Sequence, residues 1–171
     1  MKKLKLICMA LIAVVAMVSC GKEGPMGPQG PAGQDGNANV VSSTLTIRSG
    51  QWYWENDYWR VDIDYPAITA DIDNYGAVLV YKSYGSTWSQ LPLTYYYYDS
   101  EYDAYYGECF EVSSYVGGVS IFCKESDGSH LDAPATSDYK IVVIAASYYQ
   151  SHPEVDYEDY EAVKAALQLA D

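Results

Sequence analysis

From Val40 onwards, short segments rich in Val, Ile, Tyr and Trp alternate with turns rich in Gly, Asp, Asn and Ser. β-Branched and aromatic side chains favour strands, and closely spaced turn residues are typical of antiparallel sheets. The pattern predicts strands at Val41–Arg48, Gln51–Trp54, Tyr58–Asp64, Ala77–Lys82, Leu93–Tyr98, Tyr102–Glu111, Val119–Lys124 and Tyr139–Ala146. We therefore expect an all-β, antiparallel β-sandwich-like domain over residues 40–171.

The hydrophobic pattern also predicts how the second and third strands pair. A four-residue turn at Glu55–Tyr58 places Trp54 opposite Trp59, and Trp52 opposite the apolar Val61. A turn one residue shorter would pair Trp52 with the charged Arg60 instead. Because one face of a half-buried strand is apolar, burial favours the four-residue turn.

The last strand differs from the others because apolar residues follow one another without interruption from Ile141 to Ala146. A run of this kind is typical of a central strand covered on both faces. The residues 157–169 carry an apolar stripe at helical spacing, with Asp156 as the expected N-cap. We expect this C-terminal α-helix to pack on the outer face of the sheet.

Tyrosines are concentrated in one predicted hairpin, at Tyr95, Tyr96, Tyr97, Tyr98, Tyr102, Tyr105 and Tyr106. Successive strand residues point to opposite faces, so these side chains cannot all be buried. Pairing of Tyr98 with Tyr102 predicts two faces, composed of Tyr96, Tyr98, Tyr102 and Tyr106 on one side and of Tyr95, Tyr97 and Tyr105 on the other. The exposed set is the candidate ligand face, because amphipathic rings suit sugar stacking and protein contact. The alternative is that tyrosine serves only as a strand-forming residue that strengthens cross-strand pairs.

Residues 1–20 form a separate segment with three lysines, an apolar run from Leu6 to Val18, and Ser19-Cys20-Gly21. This layout resembles a bacterial lipoprotein signal, and the resemblance implies cleavage after residue 19 and lipidation of Cys20. It places the mature chain at the cell envelope, anchored in the outer membrane by lipid and facing the periplasm or the outer surface. The apolar run is too short to be a comfortable membrane span.

Glycine occupies every third position from Gly21 to Gly36, and Pro25, Pro28 and Pro31 follow three of these glycines. This is the spacing of collagen, in which only glycine fits near the axis of the triple helix. The segment 20–39 is therefore expected to be a collagen-like stalk. It could act as a single-chain spacer, which is the preferred interpretation, or hold together a homotrimer.

Two cysteines, Cys109 and Cys123, remain in the domain once the signal is removed and Cys20 is lipidated. If the chain between them turns around Ser114–Gly117, they lie opposite each other, and an oxidising compartment favours a disulfide. The alternative is a pair of reduced, buried thiols.

The charge of the chain excludes some partners. The whole sequence carries a net charge of −13, and loss of the three lysines of the signal would make it −16. The remaining basic residues are scattered singly, so nucleic acid is not an expected partner. The two histidines, His130 and His152, lack metal-site spacing, and no nucleophile or nucleotide-binding motif is present. We expect no enzyme activity, no metal and no cofactor.

Residues 59–94, including Val61-Asp62-Ile63-Asp64 and the run from Gly76 to Tyr81, are similar to a recurrent domain of secreted Gram-negative lipoproteins. The ending, with residues 139–144 followed by residues 156–163, resembles the same group. Many members carry a short collagen-like stretch after the lipid cysteine, and the resemblance implies no known activity. The leading expectation is a non-enzymatic surface-interaction or adhesion protein, and the alternative is a carbohydrate-binding accessory lipoprotein that uses the tyrosine hairpin.

Overall fold

The chain folds into two antiparallel β-sheets, as seen in a computed structural model that describes residues 39–127 and 132–169. The strands are β1 (Val40–Ile47), β2 (Tyr53–Glu55), β3 (Tyr58–Asp64), β4 (Ala77–Tyr84), β5 (Thr87–Gln90), β6 (Leu93–Asp99), β7 (Ala104–Tyr115), β8 (Gly118–Glu125) and β9 (Ser137–Ile144). One sheet has four strands in the order β1-β9-β4-β5, and the other has five in the order β2-β3-β8-β7-β6. The predicted all-β, sandwich-like class is confirmed.

The main core lies between the two sheets. Val61, Phe110 and Ile121 from the five-stranded sheet belong to the same buried cluster as Val80 and Ile141 from the four-stranded sheet. These residues occupy alternate positions in their strands, because only every second side chain of a strand faces the partner sheet. The alternation read from the sequence therefore describes the sandwich interior.

Strand β9 is buried on both faces, as its uninterrupted apolar run predicts. Ile141 and Val143 pack in the core between the sheets, whereas Val142 and Ile144 belong to a second cluster on the opposite face. The second cluster includes residues of the C-terminal helix, so a helix does cover the outer face.

Three helices lie among the described residues: α1 (Ala70–Tyr75), α2 (Ala146–Ser151) and α3 (Tyr160–Leu167), together with a 3₁₀ turn at Ser49–Gln51. Helix α3 begins three residues later than the sequence predicts. Its N-cap is Asp159, whose carboxylate accepts from the backbone N–H groups of Glu161 and Ala162, and not Asp156. Asp156 instead accepts from the N–H of Glu158 in the preceding turn, since an aspartate can cap a turn as well as a helix.

The lengths and positions of the turns determine which residues of neighbouring strands lie opposite each other. Asn56 and Asp57 both have positive φ angles and form the two-residue turn between β2 and β3, which pairs Trp54 with Trp59 as predicted. Between β7 and β8, only Val116 and Gly117 lie outside the strands, and Gly117 has a φ of 92°. The predicted turn at Ser114–Gly117 is wrong by one residue, and this error changes which residues of β7 and β8 lie opposite each other.

Elements β5, α1 and α2 are not predicted by the pattern because each is short. Strand β5 has four residues and each of the two helices has six. Segments of this length carry too few residues for a hydrophobic period to emerge. Strand β5 nevertheless matters, because it forms one edge of the four-stranded sheet and places Trp88 beside α3.

The signal, Cys20 and the glycine triplets all fall within residues 1–38, outside the described residues, and His130 lies in the gap at 128–131. Within the described ranges, no helix is long and apolar enough to cross a membrane.

Candidate functional site

The tyrosine hairpin is formed by β6 and β7, and its register differs by three residues from the prediction, which paired Tyr98 with Tyr102. Tyr98 lies opposite Tyr105 and Tyr97 lies opposite Tyr106, because the turn occupies the four residues 100–103 instead of the three residues 99–101. Tyr102 is part of this turn and is not opposite Tyr98. A shift by an odd number of residues exchanges the faces of one strand, so Tyr105 and Tyr106 exchange the sides predicted for them.

One set of tyrosines points away from the sandwich. The exposed fractions are 73% for Tyr96, 50% for Tyr98 and 75% for Tyr105, and 68% for Tyr102 at the adjacent turn. We call these four residues the tyrosine face. Exposed aromatic rings in such a group form an apolar patch on an otherwise acidic protein, which is a feature of interaction sites.

The opposite set of tyrosines is structural. Tyr95 packs against the buried Phe110, with ring centroids 6.3 Å apart, and stacks on Tyr84 at 5.2 Å. The hydroxyl of Tyr97 donates to the carboxylate of the buried Glu125, and its ring lies 6.1 Å from that of Tyr106. Tyr95 and Tyr97 therefore hold the hairpin against the domain through these contacts, although the Tyr97 side chain is still 43% exposed.

The absence of a side chain at Gly107 shapes the tyrosine face. Gly107 lies opposite Tyr96, and a Cβ atom placed on it would come within 3.1 Å of the Tyr96 ring and 2.9 Å of the Thr94 methyl carbon. The ring of Tyr96 therefore leans across the neighbouring strand at the glycine, as aromatic residues do when they cover a glycine in a sheet. Its other side remains open to solvent.

Carboxylates surround the turn end of the tyrosine face. The hydroxyl of Tyr98 donates to Asp103 Oδ1 at 2.5 Å, and this hydrogen bond raises the pKa of Tyr98. Asp99 Oδ1 accepts from the N–H of Glu101 at 2.8 Å and orders the turn. These contacts orient the Tyr98 ring, which lies 5.1 Å from that of Tyr105.

On strands β2, β3 and β8, the outer surface of the five-stranded sheet carries a polar network whose members form hydrogen bonds with one another. Arg60 donates to Asp62 Oδ1 at 2.8 Å and to Glu55 Oε2 at 3.1 Å, and Tyr53 donates to Asp62 Oδ2 at 2.5 Å. The last of these hydrogen bonds raises the pKa of Tyr53 to about 12. Partial burial pushes the pKa of Asp62 upward, but hydrogen bonds from Ser120, Tyr53 and Arg60 outweigh it and hold that pKa below its usual value. Because these groups bond one another, the tyrosine face is the better candidate site.

No known protein family, curated protein or solved structure matches the chain.

The predicted disulfide between Cys109 and Cys123 is wrong, and both are free thiols. Cys123 lies opposite Phe110, whereas Cys109 lies opposite Lys124, so the two sulfurs are on opposite faces of the sheet. Cys123 Sγ points inward and donates to Glu108 Oε1 at 3.6 Å. Burial raises the pKa of the Cys123 thiol, and the nearby Glu108 carboxylate raises it further, so this thiol is not an activated nucleophile.

A groove between β5 and α3 is a feature that the sequence pattern does not reveal. It has a volume of about 750 Å³, and its lining includes Trp88, Leu93, Glu158 and Glu161. Beneath it, Lys140 is 2% exposed, and its ammonium group donates to the Tyr160 hydroxyl at 2.6 Å and lies 4.8 Å from the centre of the Trp88 ring. The only sequence signal for this arrangement is a lysine at the start of an apolar strand.

Residues 39–127 and 132–169 contain no group of three or more His, Cys, Asp and Glu side chains that could hold a metal ion. His152 stacks on Tyr148 with ring centroids 3.9 Å apart, and its Nδ1 lies 2.9 Å from the Tyr148 carbonyl oxygen. These contacts give His152 a structural role at the end of α2.

Proposed function

We propose that the chain is a non-enzymatic, lipid-anchored cell-envelope protein that presents its β-domain for surface interaction or adhesion, with the tyrosine face as the contact surface. The observation that carries the proposal is the outward exposure of Tyr96, Tyr98 and Tyr105 on one sheet face, next to Tyr102. A protein gains nothing in core stability from rings that remain in solvent, whereas tyrosine is enriched where proteins bind partners.

The anchored part of the proposal rests on the sequence of residues 1–38. Cys20 would carry the lipid and hold the protein in the outer membrane, on its periplasmic or its outer surface. The glycine triplets would separate the β-domain from the membrane, either as a single-chain spacer or as the core of a homotrimer. Light scattering on the full chain and on a Gly27→Ala, Gly30→Ala variant tests the homotrimer, because alanine does not fit near the axis of a triple helix.

Substitution of the tyrosine face tests the contact surface. The full chain is compared with a variant carrying Tyr96→Ser, Tyr98→Ser and Tyr105→Ser for retention on immobilised mucin and on an array of purified glycans. A Tyr75→Ser variant is the matched control, because Tyr75 is 61% exposed but lies on α1. The proposal requires the triple variant to lose retention while the control keeps it. Equal retention by all three proteins would exclude the tyrosine face as the contact surface.

A carbohydrate ligand is the second candidate, favoured by the ring of Tyr96. This ring leans across Gly107 on one side and is open on the other, an arrangement on which a sugar ring could stack. Enzymatic removal of the glycans from the mucin separates the two candidates. Loss of binding on deglycosylated mucin supports a carbohydrate-binding accessory protein, and unchanged binding supports a protein adhesin.

A further inference from the structure

Strand β6 is the last strand of the five-stranded sheet, so one side of its backbone has no neighbouring strand among the described residues. The hydrogen bonds of Gly107 show which backbone groups face that side. Gly107 accepts from the N–H of Ser126 at 2.7 Å and donates to the Ser126 hydroxyl at 2.9 Å, so its backbone groups point toward β8.

Because backbone groups alternate sides along a strand, the groups of Tyr106 and Glu108 point toward β6. Their partners Tyr97 and Tyr95 direct their own backbone groups at β7. The intervening residues Thr94, Tyr96 and Tyr98 therefore direct their N–H and C=O groups outward. Such a row of free donors and acceptors is a template for another strand.

The usual protections of an edge strand are missing here. Natural edges are blocked by Lys, by Pro or by inward charges, whereas residues 93–98, which lie between Pro92 and Asp99, contain neither a charged residue nor a proline. The strand has seven residues and spans roughly 20 Å at ~3.4 Å per residue, which is long enough to pair with a peptide.

Negative charge lies at both ends of this edge. Leu93, the first residue of β6, also lines the groove that carries the exposed carboxylates of Glu158 and Glu161. The turn at the other end carries Glu101 and Asp103, which are exposed as well. Residues 93–115, the whole hairpin, contain no Lys or Arg.

We infer that the free edge of β6 binds an extended, basic peptide segment of another protein by strand addition. The peptide adds a sixth strand, its backbone pairs with Thr94, Tyr96 and Tyr98, and its Lys or Arg residues lie at the two acidic ends, about six residues apart. One basic side chain reaches the groove, where the carboxylates stand beside the ring of Trp88.

A second copy of this chain fits the edge less well than a basic peptide. Antiparallel pairing of two β6 strands about Tyr96 would bring the acidic turn of each copy beside Leu93 and the acidic groove of the other. Like charges brought together in this way oppose association and suppress the wrong partner. The inference is also independent of the proposed function, because the backbone edge remains when the rings of the tyrosine face are removed.

Fluorescence anisotropy tests the inference with the full chain in detergent micelles and a labelled peptide, Lys-Lys-Val-Thr-Val-Thr-Val-Lys-Lys. Thr94→Pro removes an outward N–H without removing a hydrogen bond to β7, and Thr94→Ala is the matched control that keeps the N–H. We expect Thr94→Pro to weaken binding on the order of tenfold or more and Thr94→Ala to leave it unchanged. Peptides with Glu in place of Lys, or with alternate backbone N-methyl groups, should not bind.

Several results would overturn the inference. One is equal binding by folded Thr94→Pro and Thr94→Ala, and another is binding of the N-methylated or Glu-containing peptide as tight as that of the parent. A wild-type dimer that Thr94→Pro dissociates, with no peptide bound, would identify the occupant as a second copy. If Thr94→Pro does not fold, the N-methylated peptide decides, since it leaves the protein unchanged. The Tyr96→Ser, Tyr98→Ser, Tyr105→Ser variant keeps the edge, so it should retain the peptide even if it loses the ligand of the tyrosine face.

Discussion

The contact between Lys140 and Tyr160 gives a quantitative prediction about what holds α3 on the sheet. The ammonium group and the hydroxyl are 2.6 Å apart, and the two residues are 2% and 8% exposed. Tyr160→Phe removes the hydroxyl and keeps the ring, which contacts Tyr81 with ring centroids 4.9 Å apart and Trp88 at 6.2 Å. The substitution therefore changes a hydrogen bond with little change in packing.

The expected cost follows from the charge and the burial. A hydrogen bond to a charged group contributes roughly 1.5–3 kcal/mol, because a buried charge that loses an acceptor cannot recover it from water. We expect Tyr160→Phe to lower the free energy of unfolding by about 2 kcal/mol. For a domain of roughly 130 residues, this corresponds to a decrease in Tm of roughly 6–10 °C.

Tyr81 provides the control in the same cluster. It is fully buried, and its hydroxyl has no hydrogen-bond partner among the described residues. Tyr81→Phe removes a buried polar group that makes no hydrogen bond, so we expect stability to stay within about 0.5 kcal/mol or to rise by up to about 1 kcal/mol.

Urea unfolding followed by fluorescence measures both variants against the wild type, and an unchanged m value shows that the same surface is exposed on unfolding. We expect a lower urea midpoint for Tyr160→Phe and an equal or higher midpoint for Tyr81→Phe. Equal losses in the two variants, or no loss in Tyr160→Phe, would show that the contact with the Lys140 ammonium contributes nothing measurable.

Three further predictions concern the backbone, the outer network and the thiols. Gly76→Ala should lower the free energy of unfolding by about 2–4 kcal/mol, because the added Cβ would clash with the backbone carbonyl oxygen of Ile144 at the end of β9. Gly50→Ala is the control in the same thermal unfolding assay, because a Cβ atom at Gly50 would meet no other atom within 4 Å. Because hydrogen bonds hold the pKa of Asp62 below its usual value, the stabilising effect of this carboxylate is present above about pH 4 and is lost as the pH falls through the folded-state pKa. Asp62→Asn should therefore lose less stability than the wild type between about pH 5 and pH 2. Parallel plots of stability against pH for the two proteins would contradict this. Alkylation of unreduced, denatured protein should label Cys109 and Cys123 separately. A disulfide-linked pair of peptides in mass spectrometry would instead show that the two cysteines form a disulfide.

Several features of the fold could be predicted from the sequence because they depend on local patterns. The two-residue period of the strands and the uninterrupted apolar run of β9 both predict the structure correctly, because each pattern depends only on which side chains must be buried away from water. The pairing of Trp54 with Trp59 was predictable because alternatives place Arg60 against an indole ring. The helix that covers β9 was predictable for the same reason, as an apolar outer face requires a cover.

Register was less predictable than the existence of the strands. The predicted register was wrong by three residues in the tyrosine hairpin and by one residue in the β7–β8 hairpin, and both errors come from the position or the length of a turn. Turns of neighbouring lengths differ little in local energy, yet a one-residue difference moves every side chain of a strand to the other face. This is why Tyr105 lies on the solvent side of the sheet, Tyr106 lies on the opposite side beside Tyr97, and the two cysteines do not meet.

By itself, the sequence determined every strand except the short β5, that β9 is central, that a helix covers it, and that tyrosines must be exposed somewhere on one hairpin. Only the tertiary structure decided which tyrosines those are, that β6 lies at a sheet edge, and that the ammonium of Lys140 is buried under Tyr160. The physical reason is that strand formation follows from periods within a few residues. Sheet order and burial instead depend on contacts between residues far apart in the chain, and a pattern within a few residues does not contain the relative energies of those contacts.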